Sequence, residues 1–408
     1  MVGASHSFRC GFFTFDIDHS NRYPIVGQPN IPKRLSLSNP SASRRSLPEI
    51  NTHATLVPGP FLEPDDSVPQ NWRNLAKYLS ERGFSMAESE APRQFAGGVG
   101  NLNYLLRLDG RDMVLRRPPM GPIPPGANDM KREHRILSGL WRAFPLAPRS
   151  LHYCPDDAVL GAHFLIMEYR PGVVIGNALA EALARKPGIG GALADMMLRV
   201  LADLHRVDPA RADLADFGRP AGFLMRTIEG WAKRVAVATD GNPPAVATAL
   251  TAWLRDSLVL EQAPALLHND FKLDNVVLDP SSLAPVAVLD WDMGSRGDPL
   301  FDLATLLSYW TEADDPAAMH DLGQMPTAAH GFPSRREIVA RYAALTGRDV
   351  SNMVFYRVLT MFKLGVVFLQ LYARHRRGVT SDPRFAGFGR LADGLLDFAY
   401  DIARGRAF

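Results

Sequence analysis

Residues 266–279 read LLHNDFKLDNVVLD, and this stretch decides the fold class. His268, Asp270 and Asn275 follow the pattern H-x-D-x-x-x-x-N. A carboxylate in such a loop can orient an attacking hydroxyl and accept its proton. An amide oxygen five residues later can bind Mg²⁺ without adding charge. The pattern therefore predicts Asp270 as a general base and Asn275 as a metal ligand.

A second carboxylate follows on an apolar strand. Asp290, in VAVLDWD, lies fifteen residues after Asn275 and is predicted to be the charged Mg²⁺ ligand, with Asp292 a weaker candidate. The loop pattern alone recurs by chance. Its combination with the strand, D-W-D and GDPLFDLA is specific. The structural alternative is that Asp270 and Asp290 only cap loops or form turns.

Other polar residues of this region receive separate interpretations. His268 is predicted to brace the loop through backbone hydrogen bonds rather than to carry protons. Asp298 and Asp302 are predicted to cap or tie down the following helix. Lys272, two residues after Asp270, is predicted to neutralise a transferring phosphoryl group, with a solvated loop lysine as the alternative.

A glycine turn occurs earlier, in QFAGGVGNLNYLL. Gly97, Gly98 and Gly100 lie between two predicted strands, and Asn101 follows them. Such a turn lets backbone N–H groups approach phosphates. Glycines of this kind also occur in ordinary hairpins, so the turn alone is a weak signal. We predict that Gly98, Gly100 and Asn101 contact a nucleotide.

A cation and an acid follow the glycine turn. Arg116 ends the strand in MVLRR, where a cation can lie over nucleotide phosphates. Glu133 lies seventeen residues on, in KREHRIL, within an amphipathic helix predicted across MKREHRILSGLWRAF. We predict that they form an ion pair, as in protein kinases. The alternative is a surface arginine and a solvated glutamate. The order of glycine turn, cation, glutamate, catalytic loop and metal aspartate favours the ion pair.

The chain divides into three parts. Residues 1–60 are rich in Ser, Pro and Arg and are predicted to be a disordered extension, with a transit peptide as the alternative. Folded structure is predicted from near Trp72, in the helix NWRNLAKYLSERGF. Residues 65–170 form a strand-rich N-lobe and residues 171–408 a helical C-lobe. The predicted fold class is α+β and bilobal.

Composition limits the partners and the location. The 408 residues contain 46% hydrophobic and 22% charged residues, with a net charge of +2, so nothing favours binding to nucleic acid or an anionic membrane. Cys10 and Cys154 are the only cysteines, which predicts no disulfide framework and a reducing cytoplasm. The apolar residues 358–372, interrupted by Lys363, fall short of the roughly 20 needed to span a bilayer. We predict a buried helix there.

From about residue 94 to 309 the sequence resembles the aminoglycoside phosphotransferase and choline kinase superfamily. It is most similar to the phosphotransferase domains found fused to, or beside, acyl-CoA dehydrogenases. The resemblance rests on QFAGGVGNLNYLL, MVLRRPPMG, KREHRILSGL, HFLIMEYRPG, LLHNDFKLDN and VLDWDMGSRGDPLFDLA, and more faintly on YARHRRG. It implies a bilobal protein-kinase-like fold that uses ATP and Mg²⁺. It also implies adenine binding by the backbone around Glu168 and Tyr169, with Asp270 as base and Mg²⁺ at Asn275 and Asp290.

Three positions depart from the family pattern. Asn269 stands where the family usually has Gly between the His and Asp of the loop, and Gly100-Asn101 replaces the usual Ser-Asn. Arg116 replaces the Lys of antibiotic kinases, although Arg is usual in the dehydrogenase-associated group. Arginine keeps its proton and binds phosphate with two hydrogen bonds, so phosphate binding is retained. None of these changes removes the base or a metal ligand.

The sequence predicts an ATP-dependent kinase that phosphorylates a hydroxyl of a small metabolite, and the resemblance favours a hydroxyacyl-CoA-like acceptor. The alternative acceptor is an aminoglycoside, for which the acids Glu312, Asp314 and Asp315 are the candidate cluster. The basic residues 374–377 are predicted to hold an anionic acceptor, or else only to end a helix favourably. Two alternatives from other classes are a non-catalytic nucleotide-binding module and a two-metal hydrolase. The sequence does not predict the oligomeric state.

Overall fold

The computed structural model describes residues 8–10, 13–15, 61–87, 90–96, 100–121, 128–379 and 383–408. Within residues 1–60 it describes two short antiparallel strands, β1 (Phe8–Cys10) and β2 (Phe13–Phe15). The rest of that segment lies outside the described residues. The disordered extension and the domain limits therefore stay predictions.

A five-stranded antiparallel sheet forms the N-lobe. Its strands follow the order β3-β4-β5-β7-β6 across the sheet. They are β3 (Arg93–Gln94), β4 (Leu102–Leu108), β5 (Arg111–Arg117), β6 (Ser150–Cys154) and β7 (Phe164–Glu168). Asp109 and Gly110 have φ values of 49° and 74° and join β4 to β5, which is the left-handed geometry that a two-residue hairpin turn needs.

Both faces of this sheet are covered. On one face Leu115 packs with helix α1 (Trp72–Ser80) in a small cluster, while the next residue towards the N-terminus, Val114, belongs to the main core shared with the C-lobe. This alternation follows from the two-residue period of a strand. Helix α2 (Met130–Leu137) lies on the C-lobe side, and α3 (Asp157–Leu160) precedes β7.

Short strands connect the two lobes and frame the catalytic loop. Strand β8 (Val173–Val174) follows the N-lobe sheet and pairs with a strand from the C-lobe, giving the order β11-β10-β8. A second small sheet has the order β12-β9. The C-lobe strands are β9 (Ala265–Leu267), β10 (Val276–Leu278), β11 (Pro285–Val288) and β12 (Ser295–Gly297). The catalytic loop, with Asn275 at its end, runs from β9 to β10, and Asp290 and Asp292 follow β11.

Helices make up the rest of the C-lobe. In chain order they are α4 (Glu181–Ala184), α5 (Ile189–His205), α6 (Phe223–Ala238), α7 (Ala245–Asp256), α8 (Pro299–Ser308), α9 (Ala317–Leu322), α10 (Arg335–Thr346), α11 (Met353–Arg376) and α12 (Phe388–Ala403). Helix α11 packs against α6, α7, α8 and α12. It is the one described helix long and apolar enough to cross a membrane, but 78% of its apolar window is buried. This confirms the predicted buried helix.

The fold class is α+β and bilobal, as predicted. Strand β5 ends at Arg117, directly before Pro118. The helix predicted across MKREHRILSGLWRAF is shorter than expected, because α2 ends at Leu137 and a 3₁₀ turn, Leu140–Arg142, follows. Between them lies Gly139, where a Cβ would meet the carbonyl oxygen of Ala212 at 2.0 Å. This close approach of another segment accounts for the break.

Candidate active site

Asp302, in the first turn of α8, anchors the backbone of the catalytic loop. Its carboxylate accepts hydrogen bonds from the backbone N–H groups of His268 and Asn269, both at 2.6 Å. Burial alone would raise the pKa of Asp302, but His205 and the His268 N–H hold it below its usual value. Asp302 therefore stays ionised and fixes the loop. Asp298 caps α8 by accepting from the Leu300 N–H at 3.0 Å. Both predicted structural roles are confirmed.

His268 braces the same loop, as predicted. Its side chain is fully buried, and Nε2 lies 2.8 Å from the Leu289 carbonyl oxygen. Nδ1 accepts from the backbone N–H of Asp270 at 3.3 Å. A neutral imidazole with its proton on Nε2 satisfies both contacts. His268 therefore ties the loop to the end of β11.

Asp270 is buried and held by two neighbours. Tyr309, at the end of α8, donates its hydroxyl to Oδ1 at 2.5 Å. Asn275 donates its amide to the Asp270 carbonyl oxygen at 2.8 Å and lies 3.4 Å from Oδ2. Burial raises the pKa of Asp270, and the charges of Lys272 and Lys363 partly offset that rise. A positioned carboxylate with a raised pKa suits a general base.

Asn275 and Asp290 lie on adjacent segments, because the Leu289 N–H, one residue before Asp290, donates to the Asn275 carbonyl oxygen at 2.8 Å. The Asn275 amide nitrogen binds the loop, so its oxygen remains the group that can bind a metal. Asp290 has a φ of 68°, a left-handed conformation that Asp tolerates better than most residues. Its carboxylate contacts Arg116.

Asp292 is 2% exposed, and burial, followed by the charge of Asp290, raises its pKa well above the usual value. Burial thus disfavours the ionised form of Asp292, and the assignment of Asp290 as the stronger metal ligand stays a prediction.

The donor set fits Mg²⁺ rather than a metal caged by protein alone. In the described part of the chain, no group of three or more His, Cys, Asp or Glu side chains is arranged to hold a metal ion. Mg²⁺ is commonly held by one or two carboxylates, with phosphate and water oxygens completing the shell. Asn275 and Asp290 are hard oxygen donors of the kind this ion prefers.

Arg116 and Glu133 form the predicted ion pair, with Nε 2.8 Å from Oε2. Arg116 is 6% exposed and Glu133 is fully buried, so the alternative of a surface arginine and a solvated glutamate is wrong. Burial would lower the pKa of Arg116, but Asp290 and Glu133 raise it above its usual value. The Arg116 guanidinium therefore stays charged. It lies between Glu133 on α2 and Asp290, the candidate metal ligand.

The glycine turn is described only at its second half. Gly97 and Gly98 lie outside the described residues, whereas Gly100 and Asn101 lie beside the loop that precedes α2. Asn128 contacts the Gly100 carbonyl oxygen and lies 3.0 Å from the Asn101 side chain. With its amide oxygen facing the guanidinium, Asn101 accepts from Arg116 Nη2 at 2.7 Å. The end of the turn is thus placed next to the strand cation.

Glu168 and Tyr169 lie where the chain leaves the N-lobe sheet. The Glu168 carboxylate accepts from the Arg149 N–H at 3.1 Å and from Arg170 at 2.9 Å. Tyr169 is half-buried, with its ring 6.0 Å from that of Phe95, which directly precedes the glycine turn segment. The Glu168 backbone is engaged as well, because its N–H donates to the Arg149 carbonyl oxygen at 2.9 Å. Adenine binding here stays a prediction.

Lys272 differs from the solvated loop lysine considered above. It is fully buried, and Nζ lies 3.1 Å from Asp274 Oδ2. Burial would lower its pKa, but Asp274 and Asp270 raise it, so the ammonium stays charged. The alternative of a solvated loop lysine is therefore wrong. Its role on a phosphoryl group stays a prediction, because Asp274 is its nearest partner.

Two residues near Asp270 were missed by the motif analysis. Tyr309 lies 39 residues after the base, and no motif marks it. Lys363, in α11, donates to the Asn269 carbonyl oxygen at 2.6 Å and is buried. A lone lysine inside the apolar stretch 358–372 was the available signal. It indicated that a charged residue interrupts a buried helix, but it did not predict which residue Lys363 contacts.

The bilobal architecture with this loop defines a protein-kinase-like phosphotransferase fold. The chain belongs to the phosphotransferase enzyme family, whose model matches residues 92–338. It is 30% identical over 347 residues to mouse (Mus musculus) acyl-CoA dehydrogenase family member 10, covering 84% of this chain and 32% of that protein. It is 28% identical to human (Homo sapiens) acyl-CoA dehydrogenase family member 11, covering 81% of this chain and 43% of that protein. The chain therefore spans well under half the length of these relatives.

Solved structures show the same fold. A Ralstonia eutropha protein assigned to the aminoglycoside phosphotransferases has a TM-score of 0.66 and 24% identity, covering 83% of this chain and 99% of that one. A thermostable mutant of the aminoglycoside phosphotransferase APH(4)-Ia, in a ternary complex with AMP-PNP and hygromycin B, has a TM-score of 0.52 and 20% identity, covering 81% of this chain and 99% of that one. The chain is therefore a member of the phosphotransferase enzyme family and has the protein-kinase-like fold of these structures.

Proposed function

We propose that this protein is an ATP-dependent small-molecule kinase that transfers the γ-phosphoryl group to a hydroxyl of a metabolite. The observation that carries the proposal is the meeting of two sets of contacts at the catalytic loop. Tyr309 contacts Asp270, and Asp270 contacts Asn275, whereas Asp290 contacts Arg116, which pairs with Glu133. The two sets are joined where the Leu289 N–H, one residue before Asp290, donates to the Asn275 carbonyl oxygen at 2.8 Å. Base, metal ligands and phosphate-binding cation thus belong to one site.

Each residue has a definite task in this proposal. Asp270 orients the acceptor hydroxyl and takes its proton as the new P–O bond forms. Asn275 and Asp290 would hold Mg²⁺, which neutralises charge on the phosphate oxygens. Arg116, kept charged by Glu133, offers a guanidinium fork to the phosphates. Lys272 adds positive charge beside the base.

ATP is proposed as the phosphoryl donor on two grounds. The related fold of APH(4)-Ia has been solved with AMP-PNP and, in another variant, with ADP. In this chain, Asn101, Arg116 and Tyr169 lie on the N-lobe side of the same loop, where a nucleotide would be held between the lobes. The cytoplasmic location predicted from the two cysteines is retained as part of the proposal.

The proposed acceptor is a hydroxyacyl-CoA-like metabolite rather than an aminoglycoside. Two acids that could attract a polycation are already engaged: Arg335 contacts Asp315 and lies 3.5 Å from Glu312. Lys363 is buried beside Asp270; burial lowers its pKa, whereas the charges of Asp270 and Asp302 raise it, and in its charged form it would repel an ammonium group. The relatives named as acyl-CoA dehydrogenase family members also support an acceptor of the acyl-CoA type.

An acceptor screen tests the proposal. ADP release from ATP is measured with hydroxyacyl-CoA thioesters, simple sugars, choline and kanamycin, with Mg²⁺ and with EDTA. We expect Mg²⁺-dependent ADP release that a hydroxyacyl-CoA stimulates and kanamycin does not. ATP binding without ADP release on any acceptor would favour the non-catalytic module. Phosphate release that no acceptor stimulates would favour the hydrolase.

A further inference from the structure

A small cavity lies directly against Asp270. Its volume is about 20 Å³, enough for one water-sized group. Its walls include Asn269, Met293, Tyr309, Lys363 and Leu364. If Asp270 is the base, an acceptor hydroxyl at the mouth of this cavity would contact it, and the residues around the cavity would then lie beside the neighbouring atoms of the acceptor.

Asn269 presents an unsatisfied acceptor at this place. Its Nδ2 donates to the Met293 carbonyl oxygen at 2.8 Å and to Ser295 Oγ at 2.7 Å. A carbonyl oxygen can only accept, so the amide orientation is fixed. Oδ1 is buried and has no hydrogen-bond partner in the described part of the chain. The residue as a whole is 7% exposed.

Asparagine is an unfavourable choice at this position on two counts. Its φ is +64°, a left-handed conformation that glycine adopts without cost. Glycine would also leave no buried acceptor without a partner. A buried polar atom without a partner costs free energy and is rare in native proteins. A ligand that donates to Oδ1 would remove that cost.

Lys363 holds the backbone of Asn269. Its Nζ donates to the Asn269 carbonyl oxygen at 2.6 Å, and Lys363 lines the same cavity. The backbone and the amide nitrogen of Asn269 are therefore both held, by α11 and by the segment after β11. Its Oδ1 cannot turn away to find another partner without breaking these contacts.

We infer that Asn269 determines acceptor specificity by accepting a hydrogen bond from a second O–H or N–H group close to the attacking hydroxyl. The attacking hydroxyl has one hydrogen, and Asp270 receives it. The donor for Asn269 must therefore be another group of the acceptor, such as a vicinal hydroxyl or an amide N–H. This inference rests on the proposed function, and within the proposed acceptor class it selects compounds that carry such a second donor.

The test compares 2,3-butanediol with 2-butanol, which differ by one hydroxyl, on the wild type and on Asn269→Gly. Two readouts are taken with Mg·ATP present: the alcohol concentration for half-maximal change in ADP release, and the alcohol-induced shift in Tm. For the wild type we expect the diol to act at about tenfold lower concentration, as expected for one additional net hydrogen bond. For Asn269→Gly we expect the two alcohols to become nearly equal.

His330→Gly is the matched control, because His330 is exposed and also has a left-handed φ, of 61°. It should keep the wild-type preference for the diol. Three results would each overturn the inference. The two alcohols act equally on the wild type, Asn269→Gly keeps the preference for the diol, or neither alcohol has any effect. A crystal structure with the diol in which an ordered water satisfies Oδ1 would also overturn it. Failure of the proposed function is distinct: ADP release is then absent, while the Tm comparison still decides about Asn269.

Discussion

The proposed site has a phosphate end and an acceptor end, and the two ends are formed by different kinds of segments. At the phosphate end, Arg116, Glu133 and Asp290 come from segments with recognisable patterns, and they contact one another directly. At the proposed acceptor end, Asp270 lies beside Tyr309, directly after α8, and Lys363, on α11, and neither of these two residues belongs to a motif. The residues proposed to bind the nucleotide belong to local sequence patterns, whereas the residues proposed to face the acceptor depend on how the C-lobe helices pack.

The largest expected effect distinguishes binding at the phosphate end from chemistry at the acceptor end. Asp270→Asn should lower kcat by about 10² or more, because a positioned base contributes about 10²–10⁴. Binding of Mg·ATP should be nearly unchanged. The measurements are steady-state kinetics on the acceptor found in the screen and a Mg·ATP titration. Asp314→Asn, at an exposed position, is the control. Normal turnover in Asp270→Asn would remove Asp270 from this role.

The second prediction sharpens the phosphate end. Asp290→Asn should weaken Mg·ATP binding at least about tenfold, a loss seen even when groups outside the ligand shell are changed. Asp292→Asn should weaken it less, because burial already raises the pKa of Asp292 and favours its neutral form. Both substitutions keep side-chain volume, so calorimetric titrations are directly comparable. Equal losses would show that both carboxylates hold the metal.

The third prediction concerns pH at the acceptor end. The base works when ionised, so kcat should fall as pH drops through the pKa of Asp270, which burial raises. The hydrogen bond from Tyr309 lowers that pKa, because it stabilises the carboxylate. Tyr309→Phe removes it, so the acid limb of the kcat–pH profile should move to higher pH by about one unit.

Rates at the alkaline plateau separate this effect from a general loss of structure. Burial raises the pKa of Tyr309 itself well above its usual value, so the phenol stays protonated across the working range. Plateau kcat in Tyr309→Phe should therefore stay within a few-fold of the wild type. An unmoved acid limb would mean that the hydroxyl does not tune the base.

The same contrast explains what the sequence could predict. The Arg116–Glu133 pair and the bracing role of His268 were predictable, because each depends on a strand, helix or loop with its own local pattern. The contact of Tyr309 with Asp270 was not, because periodicity shows that α8 is buried but gives no register against the loop. The end of α2 was also missed, since the close approach of Ala212 to Gly139 is a contact between distant segments.

The smallest expected effect tests whether the acceptor end extends along α11. Cavity-lining residues of this helix include Thr360, Leu364 and Val367. Arg374 is seven residues beyond Val367, so the helical period places it on the same face, roughly 10 Å further on. Arg376 is nine residues beyond Val367 and lies on the opposite side. Arg377 contacts Asp240 and is already engaged.

If the acceptor carries phosphates or a carboxylate, Arg374→Gln should raise KM for the acceptor about three- to tenfold, as expected for one partly exposed charge-assisted hydrogen bond. KM for ATP should not change, and Arg376→Gln should leave both values unchanged. Stability should shift little in either variant, because both changes lie at the end of a helix. Equal effects of the two substitutions would mean a diffuse attraction by the basic end. No effect of either would leave residues 374–377 as a helix end that only complements its dipole.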